Sequence, residues 1–221
     1  MTKEERLKKQ IERAAELKRF EQENKAQGFN FIAGVDEVGR GPLAGPVVTA
    51  CVVLKPEYEG LGIDDSKKLT EKKREALYDE IIENALAYGF GIRDNERIDE
   101  INILEATKEA MRDAVLAAET MLKKNSLGDR INLVMVDAVK IPGIENKQMS
   151  LIKGDSNSLS IAAASILAKV RRDRMMVEYD KIYPGYDFAS NKGYGTASHY
   201  QGIREQGITP IHRKTFLKTI H

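Results

Sequence analysis

Four carboxylates occupy places in this chain where metal chemistry becomes feasible. Asp36 and Glu37 follow the apolar run that starts at Phe31, Asp137 follows Ile131–Val136, and Asp155 follows Gly154 directly. Neighbouring side chains of a strand point to opposite faces, so Asp36 and Glu37 serve one site only if the chain bends there. Gly34 and Gly39 flank the pair and make such a bend inexpensive. Carboxylates gathered from strand ends and a helix entry suit a hard cation, because Mg²⁺ takes oxygen ligands and keeps several waters. Two such ions, about 3.5–4 Å apart, can clamp both the attacking and the leaving oxygen of a phosphodiester. Each acid alone has a plainer explanation: Asp155 suits the positive end of a helix dipole, and Asp137 suits a turn. Together they point to a metal site.

The segment Gly39-Arg40-Gly41-Pro42-Leu43-Ala44-Gly45 adjoins the acid pair. It is not a dinucleotide fingerprint, since the third glycine comes one residue late, Pro42 interrupts, and a strand follows where a helix is required. It does offer unobstructed backbone N–H groups beside an arginine. Such a loop can approach a sugar-phosphate and hydrogen-bond a 2′-OH, the group that separates RNA from DNA. A tight connection with positive φ is the alternative. No zinc site competes, because His199, His212 and His221 lack zinc-like spacing. Cys51 lies inside an apolar strand, an unsuitable place for a nucleophile.

The elements that must position these groups alternate along the chain. Residues 3–27 read as one charged helix with a sparse stripe at Leu7, Ile11, Ala14, Leu17 and Phe20. Strands are expected over Phe31–Val35, Val47–Leu54, Ala87–Ile92 and Ile131–Val136, with Leu151-Ile152 as a short edge. Thr70 is a plausible N-cap for a helix through Ala87, and another helix covers Ile103–Lys123. A long helix runs from Ser158 to Ile182, stopped by Pro184, with a narrow Ala162–Ser165 face suited to close packing. A loop over 184–195, a helix over 197–206 and a basic stretch follow. Strands interleaved with helices argue for an α/β domain.

Composition agrees with a globular chain: 221 residues, 42% hydrophobic and 31% charged, with no apolar run near the roughly 20 residues of a membrane-spanning helix. A charged N-terminus and a single cysteine lead to the expectation of a cytoplasmic protein without disulfides. Net charge is +1, but it is unevenly spread. Residues 36–152 carry 16 Lys/Arg against 22 Asp/Glu, whereas residues 153–221 carry 11 against 6. An acidic middle and a basic tail suit clustered cation ligands beside a phosphate-binding surface. Ordinary solvated charge would give the same counts.

The run Asp36-Glu37-Val38-Gly39-Arg40-Gly41-Pro42-Leu43-Ala44-Gly45-Pro46-Val47 resembles the signature of ribonuclease HII. Asp65-Ser66-Lys67-Lys68-Leu69, Val136-Asp137-Ala138, Lys153-Gly154-Asp155, Ser160–Val170, Asn191–Thr196 and His212–Phe216 follow in that family's order, so the resemblance covers about residues 31–216. It implies a ribonuclease H-like three-layer α/β fold, with a central mixed five-stranded sheet and a small C-terminal helical lobe. The expected divisions are a charged helical extension over 1–30, a catalytic domain over 31–183 and the lobe over 184–221. The resemblance makes Asp36, Glu37, Asp137 and Asp155 the catalytic metal ligands, with two Mg²⁺ or Mn²⁺ ions in the active complex. It assigns 2′-OH recognition at the RNA–DNA junction to Gly39, Arg40 and Gly41, and stacking beneath the following deoxyribose to Tyr194. A Tyr between two glycines is expected to be exposed, which suits such a platform; packing within the lobe is the plainer reading.

Lys67, Lys68 and Lys192 are candidates for phosphate contacts, which position a nucleic acid without reading its sequence; each would equally suit a solvated surface. Ser165 and Lys169 lie in the long helix where the substrate backbone could pass, although packing explains Ser165 as well. Val38 replaces the Ala of many relatives, and Asn157 replaces a basic residue, which puts a phosphate contact there in doubt. Residues 1–30 resemble the end of a longer extension in some relatives, so a truncated chain is one expectation.

The implied reaction is in-line hydrolysis on the 5′ side of a ribonucleotide, leaving 3′-hydroxyl and 5′-phosphate ends. The expected partners are RNA–DNA hybrids and DNA duplexes containing ribonucleotides, with no membrane, a monomeric state, and contact with a replication clamp left open. A type 3 ribonuclease H, preferring longer hybrids, and a non-catalytic hybrid-binding module are the rival readings.

Overall fold

The computed structural model describes residues 2–137 and 139–217. Ala138 of the Val136-Asp137-Ala138 motif, Met1, His221 and the rest of 218–221 lie outside the described residues. The charged N-terminal segment forms two helices, α1 (Lys3–Leu17) and α2 (Arg19–Ala26), where the apolar spacing predicts one. Only the second half of that stripe reaches the core. Ala14 and Leu17 are buried, Leu7 and Ile11 are exposed, and the chain turns at Lys18 so that Phe20 packs on a separate cluster with Ile32 and Leu133.

Next come β1 (Ile32–Val38) and β2 (Val47–Leu54), an antiparallel pair with Val38 opposite Val48. β1 is longer than its apolar run suggests. Asp36 pairs with Ala50 and Glu37 with Thr49, so the acid pair belongs to the ladder and the chain leaves the strand only at Gly39. Thr70 caps α3 (Glu71–Glu83) as expected, accepting from the Lys73 amide. The helix stops short of Ala87 because residues from Ala85 onward enter β3 (Ala85–Arg93), paired with β2.

Asp94 then caps α4 (Asn95–Ile101), a short helix hidden within a charged stretch, and α5 (Ile103–Lys124) follows. After β4 (Leu133–Asp137) and β5 (Lys147–Leu151) come α6 (Gly154–Asn157) and α7 (Leu159–Ile182). The segment expected to be a loop after Pro184 contains α8 (Phe188–Asn191), and α9 (Ala197–Gln206) matches its expected span.

The sheet order is β3-β2-β1-β4-β5, with β1–β4 and β4–β5 parallel and the other pairs antiparallel. α7 covers one face and α5 the other, each over its own apolar cluster. Both helices sit unusually close to the sheet. A Cβ on Gly34 would lie 2.1 Å from the Ser160 carbonyl carbon, and one on Gly91 would lie 1.8 Å from the Ala110 oxygen. Each fully buried Leu or Ile that α7 itself contributes, such as Ile166 and Leu167, adds about 1.5–3 kcal/mol relative to exposure. This tight layer fixes Ser165 over the end of β1. Among the described residues, no helix is long and apolar enough to cross a membrane.

Candidate functional site

Parallel pairing brings the acids to one end of the sheet. Val35 of β1 is paired with Val136 of β4, so Asp36 and Asp137 emerge one residue later on adjacent strands. Leu151 of β5 pairs with Asp137, and the chain then turns at Lys153, left-handed with φ 54°, into α6. That turn returns Asp155 to the same end, and the Gly154 amide donates to Asp137 Oδ1 at 3.2 Å. Asp36 and Glu37 alternate along β1 without the bend that the sequence suggested, yet at this strand end Asp36 feels the charge of Glu37 and Glu37 that of Asp137, so both border one site. Gly34 meets α7 and Val35 joins the α5 cluster, which puts Asp36 on the α7 side, where Ser165 donates a hydrogen bond to it.

The electrostatics are those of an under-neutralised cluster. Burial first, then the charges of Glu37 and Asp155, hold the Asp36 carboxyl well above the usual range. Burial also raises Glu37, against the pull of Arg40, whose Nη1 lies 3.3 Å from Glu37 Oε1. The exposed Lys67 has its Nζ 3.7 Å from Asp155 Oδ2, and against some loss of solvation the ammonium is held above its ordinary value by Asp155, Asp65 and Asp36. Among the described residues, no three His, Cys, Asp or Glu side chains already converge as a ligand cage. The donor set nevertheless fits a hard divalent cation. All four donors are carboxylates, and two of them, Asp36 and Asp155, are buried at a cost in solvation that a cation would offset.

Two arginines that sequence reasoning passed over hold the glycine loop. Arg172 and Arg213 are completely buried. Arg213 donates to the carbonyls of Gly39 (2.5 Å), Arg40 (2.9 Å) and Gly45 (2.8 and 3.0 Å). Arg172 donates to Pro46, Ala44 and Lys192. A trans peptide points its N–H opposite to its C=O. With the Gly39 and Arg40 carbonyls turned inward on Arg213, the Arg40 and Gly41 N–H groups therefore point outward. The loop thus presents donors to whatever lies beside the acids. Arg213 was visible only as part of the His212–Phe216 motif, and its carbonyl partners lie some 170 residues away.

The lobe seats Tyr194 on this loop. Leu43 N–H donates to Gly193 O at 2.8 Å, and Gly45 N–H donates to Ile211 O at 2.9 Å. Tyr194 is 44% exposed, and its Cε1 lies 3.6 Å from the position a Cβ would take on Gly41. The remaining candidates divide. Ser165 faces both Asp36 and the Ser66 hydroxyl, 2.9 Å away, in the Asp65–Leu69 loop. Lys169 instead bonds Asp173 at 2.7 Å, directed along its own helix. Lys68 is exposed with Asp64 3.6 Å away, and half-buried Lys192 donates to the Ala189 carbonyl, so neither touches the acids. Asn157 donates to Ile152 O. Cys51 is buried, and burial pushes its thiol up out of reactive range.

The two glycines flanking Arg40 differ in what they tolerate. Gly39 has φ +92°, and an added Cβ would fall 2.3 Å from Arg172 Nε, whereas Gly41 lacks both restrictions. Gly41→Ala is expected to keep the melting temperature within about 2 °C. It should still impair cutting at a ribonucleotide by narrowing the approach beside Tyr194. Thermal melts alongside cleavage assays check this, and an unchanged cleavage rate would remove the loop from substrate recognition.

A family model described as Ribonuclease HII matches residues 33–219. The Ribonuclease HII of Clostridioides difficile (strain 630) is 52% identical over 97% of this chain and 80% of its own length. The ribonuclease H2 of Pyrococcus horikoshii OT3 superposes with a TM-score of 0.64 at 30% identity, covering 83% of this chain and 92% of that one. The ribonuclease HII of Archaeoglobus fulgidus, solved in a complex with PCNA, gives a TM-score of 0.66 at 26% identity over 83% of this chain and 94% of that one.

Proposed function

Because the chain belongs to the ribonuclease HII family, metal-dependent endoribonucleases of RNA–DNA hybrids, we propose that it also cuts on the 5′ side of single ribonucleotides embedded in duplex DNA. The observation that carries this reading is the position of the outward Arg40 and Gly41 amides beside Asp36 and Glu37, with Tyr194 against Gly41. Asp36, Glu37, Asp137 and Asp155 hold the metal. Bound there, two Mg²⁺ or Mn²⁺ ions supply Lewis-acid activation and charge neutralisation at the phosphodiester. The carboxylates act as ligands rather than proton shuttles. The loop amides donate to a ribose 2′-oxygen and so select the residue whose phosphate reaches the acids. Tyr194 offers its exposed face to the next sugar, where a 2′-OH would crowd the ring and a deoxyribose would not. Arg40 and Lys67, paired here with Glu37 and Asp155, would be within reach of phosphate oxygens wherever a cation took over those carboxylates.

One cleavage experiment tests the proposal. A duplex with a single ribonucleotide and a fully hybrid duplex are compared in Mg²⁺, in Mn²⁺ and with chelator. The expected result is incision of the single-ribonucleotide duplex at its 5′ side, giving 3′-hydroxyl and 5′-phosphate ends, with nothing cut under chelation. Cutting confined to long hybrids would overturn the junction reading and favour a type 3-like preference.

A further inference from the structure

His199 and His212, which have no zinc-like spacing, meet in the core of the lobe with their Nε2 atoms 3.0 Å apart. Both are buried, against the stacked rings of Tyr186 and Phe188. Their outer nitrogens determine which atoms carry protons. His199 Nδ1 lies 2.9 Å from the Tyr194 carbonyl, which can only accept, so Nδ1 carries the proton and Nε2 is a lone pair. His212 must then donate from its own Nε2, which leaves its Nδ1 as an acceptor. That is what the other end independently requires, since the Thr209 amide donates to His212 Nδ1 at 2.9 Å. The Thr209 hydroxyl, 2.8 Å away, completes the contact. Constraints from both ends give one proton arrangement with both rings neutral.

Adding a proton to either ring sets two donors against each other within this chain of bonds. Burial, and for His212 also the neighbouring His199, lowers both imidazole pKa values, His212 to about 4. The Thr196 amide also donates to the Tyr194 carbonyl, at 2.8 Å, so the carbonyl is held by the start of α9 and by the relay together.

We propose that His199 and His212 form a tautomer-locked positioning relay, running from Thr209 to the Tyr194 carbonyl, that sets the Tyr194 ring against Gly41 and thereby sharpens discrimination at the sugar. This rests on the reading of Tyr194 given above. Neither histidine touches substrate. Their effect passes through the backbone of Tyr194, and the second contact of that backbone, Leu43 to Gly193, lies one residue away.

The test has two independent parts. Nitrogen-15 NMR of the imidazoles in the intact protein should show one histidine as the less common Nδ1–H tautomer and one as Nε2–H, both still neutral at pH 6. Disappearance of the Nδ1–H signals in His199→Asn assigns them. Nε2–H tautomers at both His199 and His212, or a positive charge on either of these two rings at pH 6, would overturn the relay whatever Tyr194 does.

The second part uses the ratio of cleavage rates on a single-ribonucleotide duplex and a full hybrid, measured beside melting temperature. In His199→Asn the amide nitrogen can stand where Nδ1 stood and still donate to Tyr194. His199→Ala should lose up to about tenfold in that ratio, the scale of one well-made hydrogen bond. His199→Asn should keep the ratio while melting lower, because His212 has lost its partner. Equal loss of the ratio in both variants, tracking stability, would mean the pair is only a packing element. Tyr194→Ala separates the two readings: an unchanged ratio there removes the sugar-sensing role and with it the relay's consequence, while the NMR result stands or falls alone.

Discussion

Asp36→Asn is expected to yield a folded protein, with metal-dependent cleavage reduced by about 10²–10³-fold, the range seen when a group stabilising transition-state charge is deleted. The structure makes this a clean substitution. Asp36 is only 8% exposed, and both burial and neighbouring carboxylates disfavour its charge. The amide is nearly isosteric, its oxygen can still accept from Ser165, and it adds no charge to repel Glu37. Melting temperature without metal should therefore stay level or rise, since the native carboxylate is held against its electrostatic preference. The stabilisation that added Mg²⁺ gives the parent protein, by binding the folded state alone, should shrink in the variant. Asp137→Asn should behave alike in cleavage, although Asp137 also accepts the Gly154 amide, a bond the amide oxygen can keep. A normal Mg²⁺-dependent rate in Asp36→Asn would remove this residue from the ligand set.

The acids were legible in the sequence because their positions follow from local pattern. An apolar run that stops at a carboxylate marks the end of a strand, and Ile131–Val136 followed by Asp137 reads directly as β4 and its terminus. The Thr70 cap and the α9 span are likewise settled within a few residues of chain. Asp36-Glu37 was read less well. Apolarity ended at Val35, but the ladder continued because β2 supplied partners through Val48, and pairing of that kind is written in another segment. The same reason hid the break at Lys18, where burial by distant strands decides which half of a weak stripe is used. It also hid Arg172, Arg213 and the histidine pair. An arginine in a helix or a basic tail reads as solvated surface until six carbonyl bonds from the remote Gly39–Pro46 segment and one from Lys192 close on the two side chains. The lysines show the converse: Lys67 does reach an acid, while Lys68, Lys169 and Lys192 are engaged elsewhere, and nothing in their spacing separates them.

Arg213→Lys should have the largest effect on stability of any change that preserves charge. Three guanidinium nitrogens serve the Gly39, Arg40 and Gly45 carbonyls at once, and a single ammonium cannot span them. Two opposing effects must be weighed. Arg213 and Arg172 are buried like charges, and among the described residues no carboxylate is hydrogen-bonded to either guanidinium. Burial first, and then Arg172, push the Arg213 pKa down to about 9, so the native pair carries repulsion and desolvation that a neutral substitution would relieve. Lys keeps the charge in the same place, so little is relieved. Against that, losing hydrogen bonds from a charged donor costs about 1.5–3 kcal/mol, and each carbonyl left buried and unpaired adds about 1–3 kcal/mol.

The losses win, and a net cost of about 3 kcal/mol corresponds to a drop of roughly 6–12 °C in melting temperature for a chain of this size. The loop should suffer beyond the global effect. Freed carbonyls let the Gly39–Gly41 peptides rotate, the outward Arg40 and Gly41 amides lose their direction, and cleavage at a single ribonucleotide should fall more than cleavage of a long hybrid. Arg172→Lys should act in the same direction, and the double variant should cost less than the two singles together, since they share one loop. A melting temperature within about 2 °C of the parent, with an unaltered preference between the two substrates, would show that the glycine loop keeps its shape without Arg213.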